Sequence, residues 1–456
     1  MLPDEATDQN AATFTGRNDS VPIRKSKIEI KTPMVALKAS QNLSKKFLLQ
    51  ASLPLAMTLL LTGPSCARQV ACTCDQPPEA LALALPTETD LAPLLTESWE
   101  AYRRRFIQDD GRVIDREDQD RTVSEGQAYA MLRAVAINDR DTFERTYAWA
   151  ENNLIRRDEE GQPIDRLWAW KWGQRDDGRW ATIDPNFATD ADIDAATALI
   201  LAAQRWNCPQ YLEAARVKLA DIWEHSTVEL PNGSRQLLPG PAASFWAEPD
   251  VMILNPSYFA PYSFRLFAQI DPERDWESLI DSGYTMLDQV SNLSTTGLPP
   301  DWIAYDPTAD TYRPMPRMHS LQSRYSFDAI RVWWRLALDA AWFNAPRAEA
   351  YLKTHLPVLI EIWEQEGRLP ARLSLEGEAL STYEATSHYA MLYPALLQIA
   401  PETAEEIYRQ KLQPAYRDGF WDNDTAYYTQ NLAWFGLLPL EVSPEQLKTA
   451  GAPCGL

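Results

Sequence analysis

A chain of 456 residues, 45% hydrophobic and 11% aromatic, can bury one large core or two smaller ones. Its formal net charge of −21 argues against nucleic acid or an anionic membrane as a partner, because either would repel it; a neutral polymer stays open. With 33 Pro against 17 Gly, the expected architecture is helices joined by Pro-bearing loops.

The N-terminal region reads as an export signal. Lys45 and Lys46 precede FLLQASLPLAMTLLLTG, a run about as long as a signal's apolar segment. Gln50 and Ser52 interrupt it, so a permanent span is not expected. The preceding residues are long for such a signal, and Met34 offers a more ordinary start. Cys66 in GPSCA stands where a lipoprotein cysteine would, although Gly63 occupies a position usually taken by Leu. The expected location is therefore periplasmic or extracellular, with membrane contact only if Cys66 is lipidated. Cys66, Cys72, Cys74, Cys208 and Cys454 are too scattered for a disulfide framework or a metal cluster. Residues 1–78 are read as export signal and leader, 79–92 as linker, 93–440 as the functional domain and 441–456 as a tail.

Helical periods recur from about residue 90. LLTESWEAYRRRFI, SEGQAYAMLRAVAI and DTFERTYAWAENNLI come first, then TDADIDAATALILAAQRW and PQYLEAARVKLADIW. PSYFAPYSFRLFAQI, DWESLIDSGYTMLDQV, FDAIRVWWRLALDAAWF, AEAYLKTHLPVLIEIW, STYEATSHYAMLYPALLQI, AEEIYRQKL and TAYYTQNLAWFGLL follow. Ile330, Trp333, Trp334, Ala337, Leu338 and Ala341 fall on one broad stripe. The pattern predicts an all-α fold of roughly a dozen helices, with short β pieces in loops such as STVELPNGSRQLL, where Asn-Gly marks a turn.

Neither a phosphate-cradling Gly-rich loop nor HExxH nor GxSxG is present, and His225, His319, His355 and His388 are isolated. No cofactor and no metal are expected. Carboxylates and aromatics remain. Ser124 and Gln127 form a capping-box pattern around Glu125, and Thr189 and Asp192 form another around Asp190. Ser326 is placed to cap a helix carrying Asp328 in its first turn. If these helices lie parallel in a ring, the three acids converge. Carboxylates in an aromatic-rich cleft suit acetal hydrolysis: one protonated to serve the leaving oxygen, another ionised to activate water. The helix dipole works against the acid role, so a donor at Glu125 needs burial or a nearby charge, such as that of Asp190, to raise its pKa. Trp168, Trp170 and Trp172 alternate, as sugar-stacking residues or as a half-buried strand on the core.

These motifs resemble glycoside hydrolase family 8. SEGQAYAMLRAV resembles its acid-bearing segment, ATDADIDAATALILAAQRW its signature helix and FDAIR the segment that carries the base. NPSYFAP and PPDW look like further landmarks of the family, and the resemblance covers roughly residues 95 to 440. GRVIDREDQDRTVSEGQ is similar to periplasmic endoglucanases encoded beside bacterial cellulose synthases.

The resemblance implies an (α/α)6 barrel of six inner and six outer helices and inverting hydrolysis of β-1,4-glucan. By motif position it makes Glu125 the general acid, Asp328 the base and Asp190 the residue that binds the sugar and tunes Glu125. Arg331 would neighbour the base or a sugar hydroxyl, and is equally placed to be a plain ion-pair partner of Asp328. Trp170, Trp172, Tyr258, Trp302 and Tyr427 are the substrate-cleft candidates. Ala128, Ala130, Ala195 and Phe327 depart from the family pattern; Phe327 removes a hydroxyl beside the base. Xylanase, lichenase and chitosanase activities belong to the same family, and a non-catalytic glycan-binding component of a cellulose-export machine is the reading from another class. Association with a cellulose synthase complex is the macromolecular partnership that the resemblance implies.

Overall fold

Among the described residues, six helices are enclosed on nearly all sides, and each has a more exposed helix as its neighbour in sequence. The computed structural model describes residues 91–440 except 247, 249 and 317; the leader, most of the linker and the tail lie outside the described residues. In chain order the helices are α1 (Leu91–Phe106), α2 (Ser124–Ala136), α3 (Arg140–Asn153), α4 (Thr189–Arg205) and α5 (Pro209–Ser226). The single turn α6 (Ala242–Phe245), α7 (Pro261–Ile270), α8 (Trp276–Ser291), α9 (Arg331–Phe343) and α10 (Pro346–His355) follow. The last are α11 (Pro357–Glu366), α12 (Thr386–Ile399), α13 (Pro401–Ile407), the three-residue α14 (Gln413–Ala415) and α15 (Tyr427–Leu437).

The enclosed helices are α2, α4, α7, α9, α12 and α15. Glu125 is the one residue of α2 that is not buried. Both α2 and α4 are rich in Ala, whose small side chains let helices pack closely without rotamer cost. Neighbours run in a cycle: α2 packs on α4, α4 on α7, α7 on α9, α9 on α12, α12 on α15, and α15 returns to α2. Each also packs on one outer helix, respectively α3, α5, α8, α10, α13 and α1. Outer helices such as α1 and α3 bury only one stripe, as amphipathic helices on a core do.

Proline sets several boundaries. The run PSYFAPYSFRLFAQI divides into a 3-10 turn, Pro256–Tyr258, and α7, because Pro261 starts a new helix. Pro357 likewise separates α10 from α11. Longer connections carry more β structure than the sequence pattern predicts. Pro163–Gln174 is a 12-residue strand that pairs antiparallel with Thr122–Val123, Ile155–Arg157 and Trp180–Phe187. Met252–Leu254, Ile303–Asp306 and Thr311–Pro314 form a second sheet. The expected turn at Asn-Gly joins Thr227–Glu229 to Arg235–Leu237, with Gly233 at φ +83°. No described helix is long and apolar enough to cross a membrane.

The expected caps do not form. Val123 precedes α2 without a side-chain cap, and the buried Ser124 Oγ has no hydrogen-bond partner among the described residues. Gln127 reaches out of its helix instead, accepting from Val113 N at 2.5 Å and donating to Thr146 O at 3.0 Å. It ties the preceding loop and α3 to α2. Thr189 Oγ1 donates to Leu238 O, and Asp192 pairs with Lys218 at 2.7 Å. α9 begins at Arg331, so Asp328 sits in the turn before the helix and not in its first turn. Tertiary partners have replaced local ones at all three starts.

Candidate active site

The three acids meet at one guanidinium. Arg331 Nη1 donates to Glu125 Oε2 and to Asp190 Oδ2, each at 2.9 Å, and Nη2 donates to Asp328 Oδ1 at 2.7 Å. Arg331 is therefore both the ion-pair partner that the i, i+3 spacing suggested and the hub of the constellation. Ser257 Oγ accepts from Nη2 at 3.0 Å, and Tyr258 lies with its ring 5.4 Å from the guanidinium carbon. α2, α4 and the turn before α9 each deliver one carboxylate, although helix-to-helix order places α7 between α4 and α9.

Each acid has its own environment. Glu125 is 18% exposed at the side chain, with Tyr427 donating to Oε1 at 3.1 Å. Asp190 is 3% exposed, and its Oδ1 accepts from Ala191 N at 2.9 Å. Asp328 is the most open at 32%, and Trp302 Nε1 donates to its Oδ2 at 3.0 Å. Burial pushes the Glu125 carboxyl up; Arg331 opposes this, while the charges of Asp190 and Asp328 add to it, and the outcome is about 7. Burial also raises Asp328, as does Asp190, with Arg331, Asn255 and Trp302 holding it back. A carboxyl at about 7 is half protonated in neutral solution and fully so in acid, which overcomes the objection raised by the helix dipole.

The aromatic candidates divide. Tyr258, Trp302 and Tyr427 are half-buried and touch the acids or Arg331 directly. Phe245 stacks on Trp302 at 6.0 Å, and Tyr258 meets it edge-on at 6.1 Å. Trp170 is half-buried on the long strand, with Lys171 against its ring, and Lys171 pairs in register with Val123, two residues before Glu125. Trp172 is packed by Trp149, Trp180 and Arg112, an arrangement that leaves it beside the core. Trp168 is fully buried. Sequence reasoning passed over Ser257 and Tyr129, which approach Arg331, and Asp301, which binds the turn that carries Asp328. NPSYFAP and PPDW contain two of these three, so the signal was present in the motifs without naming the residue. No group of three or more His, Cys, Asp or Glu among the described residues is arranged to hold a metal ion.

Comparison with known proteins places the chain in a family. The sequence profile of Glycosyl hydrolases family 8 matches residues 82–438. An endoglucanase of Pseudomonas fluorescens (strain SBW25) is 32% identical over 369 residues, covering 74% of this chain and 90% of that protein. An endoglucanase of Escherichia coli (strain K12) is 28% identical, covering 74% and 85%. The crystal structure of an endo-1,4-D-glucanase from Vibrio fischeri ES114 superposes with TM-score 0.62 at 25% identity, covering 75% of this chain and 93% of that one. The chain whose three acids converge on Arg331 belongs to glycoside hydrolase family 8.

Proposed function

We propose that this protein is an exported endo-β-1,4-glucanase that hydrolyses cellulose-type glucan with inversion, on an (α/α)6 barrel. The observation that carries the reading is the convergence of Glu125, Asp190 and Asp328 on Arg331, beside half-buried Tyr258, Trp302 and Tyr427. The barrel is supported by the cyclic order of six enclosed helices, each with one outer neighbour. Endoglucanase activity is supported by the similarity to the Pseudomonas and Escherichia endoglucanases.

In this mechanism Glu125 gives its proton to the glycosidic oxygen as the bond from C1 to that oxygen breaks. Asp328 takes a proton from a water whose oxygen bonds C1 from the opposite face. One chain end leaves as a free hydroxyl and the other as a hemiacetal of inverted configuration. Asp190 binds the sugar at the cleavage point, and its charge keeps Glu125 protonated. Arg331 holds Glu125 and Asp190 on one nitrogen and Asp328 on the other, which keeps acid and base apart; Trp170, Tyr258, Trp302 and Tyr427 line the path of the glucan. Export rests on the apolar run after Lys45 and Lys46, and partnership with a cellulose synthase complex on the resemblance of GRVIDREDQDRTVSEGQ.

The test is mutational. Glu125→Gln and Asp328→Asn should each abolish sugar release from carboxymethylcellulose while circular dichroism stays that of the parent. Retained activity in either variant overturns its assigned role.

A further inference from the structure

We propose that Asp301 is a positioning residue that fixes the proposed base by holding the backbone of its turn. The inference rests on the reading of Asp328 as the base. Asp301 lies in the loop between α8 and α9 and is 4% exposed. Its Oδ1 accepts from the backbone N–H groups of Ser326 at 3.1 Å, Asp328 at 3.1 Å and Ala329 at 2.9 Å. Its Oδ2 accepts from the Ser326 hydroxyl. Amides at the head of a helix lack intrahelical partners, and a cap ordinarily comes from the residue just before the helix. Here a carboxylate some 25 residues upstream supplies it for the turn leading into α9.

The adjacent residue completes the grip. Trp302 Nε1 donates to Asp328 Oδ2, so consecutive residues hold the backbone and the side chain of the same aspartate. Asp301 is itself anchored: its N–H donates to Arg324 O at 2.7 Å, and Arg324 Nε lies 3.6 Å from Oδ2. Substrate need not touch Asp301 for it to matter. Its leverage is on where the Asp328 carboxylate sits.

A charge effect follows from the same contact. Burial and the Asp328 charge push the Asp301 carboxyl up to about 6, and like charges disfavour ionisation of one another. The charged groups facing Asp301 are Arg324 and Asp328; those facing Asp328 are Arg331, Asp190 and Glu125. The carboxylate is therefore ionised, and grips the three amides most strongly, above about 6, so the kcat deficit of Asp301→Asn should grow as pH rises through that value.

The experiment compares Asp301→Asn, Asp301→Ala and Asp328→Asn on a soluble cello-oligosaccharide across pH, with circular dichroism on each. Asp301→Ala should lose about 10²-fold in kcat with little change in KM, as a misplaced catalytic group does. Asp301→Asn, which keeps an oxygen for the amides, should lose less, and its deficit against the parent should be larger above a pH of about 6 than below it. Folded Asp301→Ala with parental kcat, or Asp301→Asn with a deficit that stays constant as pH passes through about 6, overturns the proposal. If Asp301→Ala does not fold, the pH dependence of the Asp301→Asn deficit decides. An active Asp328→Asn enzyme would overturn the base assignment and this inference with it.

Discussion

Arg331 is the residue on which the site turns. Two guanidinium nitrogens serve three carboxylates, which a lysine, a single point charge, cannot reproduce. Arg331→Lys should therefore lower kcat by about 10²-fold, measured on a cello-oligosaccharide, because the acids lose their mutual placement. Glu125 carries a pH prediction. Its folded value of about 7 lies above the ordinary 4.5, so the native state holds that proton more tightly. The resulting stability is fully present below 4.5 and is lost as pH rises through about 7. Glu125→Gln should thus gain thermal stability relative to the parent at mildly alkaline pH, and the gain should fade in acid. The same proton should set the alkaline limb of kcat/KM near 7. Glu125 could be singled out from sequence because an acid at a helix start is visible there. The raised value could not, since it depends on burial and on Asp190 from another helix.

At the scale of elements, sequence shows periods and misses partners. Asp192 looked like the second half of a capping box because three-residue spacing fits one. In the fold it is fully buried, pairs with Lys218 of α5 and accepts from Trp168 N at 3.2 Å. A pair so buried is costly to break on one side only. Lys218→Met should destabilise the protein by about 3–5 kcal/mol in urea unfolding, because the buried Asp192 loses its counter-ion. The long strand of Trp168 and Trp170 docks on α4 through this contact. A strand partner 24 residues from Asp192 is not announced by local pattern, whereas the alternation of that strand is. Most of the longer helices, and the starts of α2 at Ser124 and α4 at Thr189, were legible; the single turn α6, the break at Pro357 and the contacts at those starts were not, because tertiary partners replaced the predicted caps.

The described fold closes where α15 returns to α2 and meets α1. Trp434 of α15 is fully buried, donates to Leu95 O of α1 at 2.9 Å, and lies 5.0 Å from the guanidinium carbon of Arg133 on α2. Trp434→Ala should cost about 3–5 kcal/mol of stability by denaturant titration, the range for truncating a buried tryptophan. Because α15 also carries Tyr427 to Glu125, closure of the ring and completion of the site share one helix. The central claim, two carboxylates working on opposite faces of a β-1,4-glucan, is tested most directly by proton NMR of product anomers during cello-oligosaccharide hydrolysis. The expected result is α-anomer at the new reducing end before mutarotation; β-anomer appearing first would contradict the account.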